Sequence, residues 1–199
     1  MATSTRDRLL DAAARRLGEH GYATFTLAAV RDEVGVSNGS LFHAFGSKAA
    51  LAAAVYVEGM TDYQRTAMAA LEQDDAVAAL RAYVAAHLGW VEAHAPLARF
   101  LFATLPDEVM REVVEPLSQR NAAFFAAVDR LHTGLVDAGA MGPLDRWTAH
   151  ALSIGPAQEH CRQWSRGSAA LAPTALADVF ADAAVAALAT TTDPEGTDP

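Results

Sequence analysis

Between Thr26 and Lys48 the chain reads TLAAVRDEVGVSNGSLFHAFGSK, and the residues there that could do chemistry are hydrogen-bonding ones. Asn38 offers a paired donor and acceptor that suits adenine, Ser40 can serve a base or a phosphate, and His43 can donate to either. Ser37, Gly39 and Phe42 stand among them; the small residues permit close approach to base edges and the phenyl ring offers an apolar contact. Thr26 and Lys48 fall at helix starts, where a hydroxyl, backbone amides and a charge would meet phosphates.

A second group lies further on. Tyr83, His87, Trp90 and His94 follow at steps of four, three and four, which predicts one face of a helix. Each carries a polar tip, whereas a purely structural core would favour Leu or Phe. Phe100, Phe102, Phe124, Phe125, Tyr63, Met60, Trp147 and His150 are candidates to complete a cavity for a largely apolar effector, aromatic or lipophilic. An ordinary packed core is the alternative. Catalysis fits poorly: His87 and His94 are seven apart, too far for the i, i+4 metal pair, and there is no HExxH, Gly-rich phosphate loop or paired-carboxylate motif. Cys161 lacks a local nucleophile signature and reads as a small core residue. We therefore expect no enzyme, no cofactor and no metal.

Helices must position both groups. Leu9, Leu10, Ala13 and Leu17 share a face of a helix over about 5–20, ended by Gly21 as a left-handed cap. A short helix follows Thr26 to about Glu33, and Gly35 permits a tight turn. Ser37 caps a third helix over about 38–45. Val30, Val34, Val36, Leu41 and Phe45 are the expected core of this module, leaving Asn38, Gly39, Ser40, Phe42 and His43 outward. A longer helix runs over 48–71 from Ser47. Beyond it the spacing predicts helices at about 75–93, 96–104, 107–115, 116–138, 144–167 and 173–189, with Pro96, Pro116 and Pro173 in first turns and Gly155-Pro156 kinking one helix without ending it. Nothing alternates with period two, so no sheet is expected. The expected fold is all-α: a helix-turn-helix module over 1–47, a helical body over 48–190 and a disordered tail from 191 to 199.

Composition agrees with a globular chain: 199 residues, 52% hydrophobic and 20% charged. No apolar run approaches the roughly 20 residues a bilayer crossing needs, no signal-peptide core opens the chain, and one cysteine forms no internal disulfide, so a cytoplasmic protein with no membrane partner is expected. The net charge of -9 divides unevenly. Residues 1–51 hold six basic and five acidic groups, so the acidic excess lies entirely beyond them. Phosphate contact needs only a local basic face.

Gly35-Val36-Ser37, Gly39, Leu41-Phe42, Phe45 and Lys48, in this order and spacing, resemble the signature of the tetracycline-repressor (TetR) family of transcription regulators. Leu9-Leu10-Asp11-Ala12-Ala13 and Gly21-Tyr22-Ala23-Thr24-Phe25-Thr26 resemble the family's first helix and loop. The resemblance covers about 45 contiguous residues, and implies major-groove reading by the third helix with phosphate contacts from Thr26 and Lys48. Phe42 departs from it, since a tyrosine is common there and its hydroxyl contact is missing. A symmetric operator needs two modules roughly 34 Å apart, hence a homodimer. Its candidate interface is the last two helices, through Leu176, Val179, Phe180, Ala183, Ala184, Ala187 and Leu188 and through Trp147, Ala151, Ile154, Gln158 and Cys161. The family implies a repressor released by a small effector; a helical interaction protein that has lost DNA binding is the alternative.

Overall fold

The computed structural model describes residues 4–192, and among these every regular element is helical. They are α1 (Thr5–Thr24), α2 (Leu27–Val34), α3 (Asn38–Phe45), α4 (Lys48–Ala70), α5 (Ala76–Ala93), α6 (Ala95–Leu101), α7 (Asp107–Asp137), α8 (Arg146–Ser165) and α9 (Ala177–Ala189). No single helix among the described residues is long and apolar enough to cross a membrane.

Starts and stops follow local chemistry. The Ser4 hydroxyl accepts from the Asp7 amide while the Asp7 carboxylate accepts from the Ser4 amide, a reciprocal box that opens α1. Asp145 opens α8, accepting from the amides of Trp147 and Thr148. The helical trace of α1 runs on to Thr24, although Gly21 interrupts it at φ 73° and ψ 169°.

Two compact units divide the chain. The first comprises residues 1–62 with 94–120, and the second 63–93 with 121–199. In the first unit α6 packs on α1 so closely that a Cβ at Gly18 would lie 2.3 Å from the Pro96 carbonyl oxygen. Leu9, Leu10, Leu17, Val30, Leu41 and Leu51 form the core there, each buried side chain contributing about 2 kcal/mol over its exposed state. In the second unit α5, α8 and α9 pack on one another. Arg81 pairs with Asp182 between α5 and α9, and the Glu92 carboxylate accepts from the amide and hydroxyl of Thr174.

Three expectations are corrected. The helices expected over 107–115 and 116–138 are one, α7, with Pro116 inside it. An interior proline costs about 3 kcal/mol, but Val109, Val113, Leu117, Phe124, Val128, Leu131 and Leu135 are buried along α7 on both sides of it and offset that cost. The expected helix at Pro173 opens instead with a 3-10 turn, Pro173–Leu176, before α9. Of the expected tail, Thr191 and Thr192 belong to another 3-10 turn, Thr190–Thr192, where the Thr191 hydroxyl accepts from the Gly142 amide at 2.8 Å; residues 193–199 lie outside the described residues.

Candidate nucleic-acid interface and interior aromatic cluster

Three hydroxyl caps set the geometry of the N-terminal helices. Thr26 accepts from the Ala29 amide at 3.3 Å, Ser37 from Ser40 at 3.1 Å, and Ser47 from Ala50 at 3.0 Å, opening α2, α3 and α4 in turn. Between α2 and α3, Gly35 turns at φ 72° and ψ 42°, where a side chain would be strained, and its amide donates to Arg31 O at 2.9 Å. Val30, Val34 and Leu41 are buried beneath the turn as expected. Val36 and Phe45 are only half-buried; the Phe45 ring lies beneath the Arg6 guanidinium, 5.4 Å from its centroid.

Asn38, Gly39, Ser40, Phe42 and His43 are all exposed, Phe42 to 52%. Ser37 and Ser40 share a hydroxyl contact of 3.0 Å, which ties the serine expected to read DNA to the cap of its own helix. The Lys48 ammonium sits 4.3 Å from the centroid of the Tyr22 ring, and the Tyr22 hydroxyl donates to Glu108 on the first turn of α7. Burial, then the bond to Glu108, pushes the Tyr22 phenol up to about 12. On the same module Arg15 and Arg16 hold the Glu33 carboxylate below its ordinary range, the hydrogen bond from Arg15 being the largest cause. Sequence reasoning missed Tyr22 as a neighbour of Lys48, and Arg31, whose guanidinium donates to Asn38. Neither pairing lies within one helix, so no periodic signal could have found it.

In the second unit the interior is aromatic and polar together. Tyr63, Tyr83, His87, Trp90 and Phe124 are buried and Phe125 half-buried. Tyr63 centres the group, with ring centroids 5.3 Å from Trp90, 5.7 Å from His87 and 6.4 Å from Phe124. Its hydroxyl lies 3.0 Å from His87 Nδ1. Phe124, Phe125 and Trp147 continue the chain of rings at 5.6 and 5.5 Å. Burial, reinforced by His150 and opposed by Gln158, pushes His87 down to about 4. Burial also lowers His150 and His132, and pushes Tyr83 up to about 12. It pushes the Cys161 thiol to about 12 as well, which removes the thiolate a nucleophile needs. His132, which sequence reasoning did not name, is buried with Nε2 lacking a hydrogen-bond partner among the described residues. Its signal was a spacing of seven from Phe125 on α7.

The remaining effector candidates fall elsewhere. His94 is not on the face of α5; it is exposed at the position that precedes α6, because α5 ends at Ala93. Met60, His94, Phe100 and Phe102 belong to the first unit, where Phe100 meets Tyr56 edge-on at 6.2 Å. Trp147 is 64% exposed. Surface grooves among the described residues include one of about 420 Å³ over Ala50, Ala53, Ala54 and Val57 and one of about 300 Å³ beside Leu71, Ala127 and Gly134; neither of these is lined by the aromatic group. Among the described residues no group of three or more His, Cys, Asp or Glu could hold a metal ion. The two stripes expected on α8 and α9 divide: Ile154, Cys161, Ala184 and Leu188 are buried, while Trp147, Ala151, Val179 and Ala183 are exposed.

Residues 9–55 match the family model for bacterial regulatory proteins of the tetR family. No curated protein matches the chain in sequence. Among solved structures it is similar to the fatty acid degradation regulator FadR from Bacillus halodurans, at 20% identity and a TM-score of 0.77 over 93% of this chain and 96% of that one. FadR from Bacillus subtilis, solved in complex with stearoyl-CoA, is 18% identical with a TM-score of 0.74 over 90% and 97%. PfmR from Thermus thermophilus, a TetR family transcriptional regulator, is 20% identical with a TM-score of 0.71 over 90% and 98%. At these identities the likeness speaks for the fold.

Proposed function

We propose that this chain, a tetR-family transcriptional regulator by its residues 9–55 and by its fold, is a repressor that binds a palindromic operator as a homodimer and is released by a small, largely apolar effector. The observation that carries the reading is the exposure of every base-reading candidate on α3 while the apolar residues beneath it are buried. Residues 1–47 read the DNA and the helices up to residue 190 take effector and partner. In the groove Asn38, Ser40 and His43 meet base edges, Phe42 makes an apolar contact, and Thr26 and Lys48 hold phosphates. The cytoplasm is its place of work.

Two further features support the assembly. Val179, 60% exposed, stands with Ala183 on α9, and Trp147 with Ala151 on α8; small and apolar residues turned outward suit close packing against a second copy. The cluster of Tyr63, Tyr83, His87, Trp90, Phe124 and Phe125 is the effector site: rings supply apolar walls, and the hydroxyl and imidazole groups orient a polar end. That one FadR was solved with stearoyl-CoA favours a lipophilic ligand of the acyl-thioester class. Release follows when the effector prefers a state in which α4 has moved, and shifting such a switch from 1:99 to 99:1 takes about 5.5 kcal/mol of differential affinity.

Mobility-shift titration against DNA flanking the protein's own gene tests the reading. Binding is expected to weaken with added long-chain acyl-CoA and in Asn38→Ala and Lys48→Ala. Absence of any duplex binding at low salt, or a strictly monomeric protein, would refute it.

A further inference from the structure

We propose that Arg31 determines which base Asn38 reads, by holding the Asn38 amide oxygen so that the amino group is the freer part to face DNA. The inference rests on the DNA-reading function proposed above and adds a positioning residue to it. Asn38 opens α3 and is exposed; Arg31 lies on the last turn of α2. Arg31 Nη1 donates to Asn38 Oδ1 at 2.8 Å. A guanidinium carries donors only, so the amide atom turned to it must be the oxygen.

The guanidinium is itself held. Asp32 Oδ1 accepts from Arg31 Nε at 2.7 Å and from Nη2 at 2.5 Å, so three of the five Arg31 donors are committed within the pair of contacts. Its charge is also balanced by Asp32, which limits what Arg31 adds to sequence-independent phosphate attraction.

An asparagine whose oxygen is turned to Arg31 has one of that atom's two lone pairs occupied and its amino group free, so it reads chiefly as a donor. In the major groove guanine presents two acceptors, N7 and O6, whereas thymine presents one, O4, and adenine one, N7, the latter beside the N6 donor that would face the amino group. The bidentate adenine contact that the residue type alone suggests needs the oxygen aimed at N6 and not at Arg31, and cytosine presents only a donor. Guanine is therefore favoured opposite Asn38 while Arg31 is present. Without Arg31 the amide turns freely and adenine becomes its best partner.

Selection from a pool of randomised duplexes with the full chain tests this, using wild type, Arg31→Ala, Arg31→Met and Asn38→Ala. Arg31→Met keeps most of the stem without the donors, so a fold defect in the alanine variant does not stop the test. Wild type is expected to enrich a site in which one base pair per half-site is guanine, and Asn38→Ala to lose preference at that pair alone. Both Arg31 variants are expected to keep the rest of the site and move that pair to adenine, with the ratio of the two bases changing roughly five-fold or more. Unchanged base identity in both Arg31 variants overturns the inference and leaves the DNA-reading function standing. So does a wild-type site that already carries adenine at the Asn38-dependent pair. Failure of wild type to enrich any duplex overturns both.

Discussion

His43 and His87 are the same residue type in opposite settings, one exposed on α3 and the other buried on α5 with its imidazole pushed down to about 4. The two regions around them differ in the same way. On α3 the polar groups of Asn38, Ser40 and His43 stay in water, so they cost the fold little and would be free for the recognition proposed for them. Around His87 every polar tip gave up hydration on folding, and each had to find a neighbour such as Tyr63 or be left like His132 Nε2. Binding chemistry at the surface is thus separable from stability, whereas in the interior the two are one property.

Deleting a ring on each side gives the sharpest test of that separation. Phe124→Ala should lower the unfolding free energy by about 3–5 kcal/mol, while Phe42→Ala should change it by less than about 0.5 kcal/mol, both read from urea midpoints. Similar losses in the two would end the contrast. Acid is the next lever. His87 takes up a proton less readily folded than unfolded, so its contribution is complete above about pH 6.5 and is lost as pH falls toward 4. Between pH 7.5 and 5 the loss is about 2 kcal/mol from His87 alone, and His132 and His150, lowered in the same direction, add to it. His87→Gln should flatten the dependence of the denaturation midpoint on pH; an equally steep profile would show that other groups carry it.

On the surface the effects are smaller and appear in DNA affinity. Lys48→Ala should weaken binding to all duplexes alike and reduce the salt slope by about one, with an unchanged melting temperature. A slope that stays put would mean Lys48 never reaches a phosphate. Smallest is the expected effect of Tyr22→Leu, which removes the ring beneath the Lys48 ammonium. It should cost about 0.5–1 kcal/mol of duplex affinity, and nothing further once Lys48 is alanine. Additive losses in that double-mutant cycle would give Tyr22 a separate role.

Much of the N-terminal module was legible because its signals are local. Caps at Thr26, Ser37 and Ser47 and the turn at Gly35 each act within four residues, and the structure places every one where its residue type predicts. The aromatic stripe was legible as far as Trp90 and no further, since a four-residue step says nothing about where α5 stops. Pro116 misled for a related reason. The rule that a proline opens a helix is local, whereas the stripe that carries α7 through it, from Val109 to Leu135, is held by burial against other elements.

The residue types and their spacing determined an all-helical chain with an outward polar segment at Asn38–His43, because hydrogen-bonded turns and apolar periodicity are properties of neighbours in sequence. Only the tertiary structure decided that Arg31 holds Asn38, that Lys48 rests on Tyr22, and that Ile154 and Leu188 turn inward while Trp147 and Val179 do not. Those outcomes depend on which surfaces meet when separate helices pack, and side-chain reach across that packing has no counterpart in the linear order of residues.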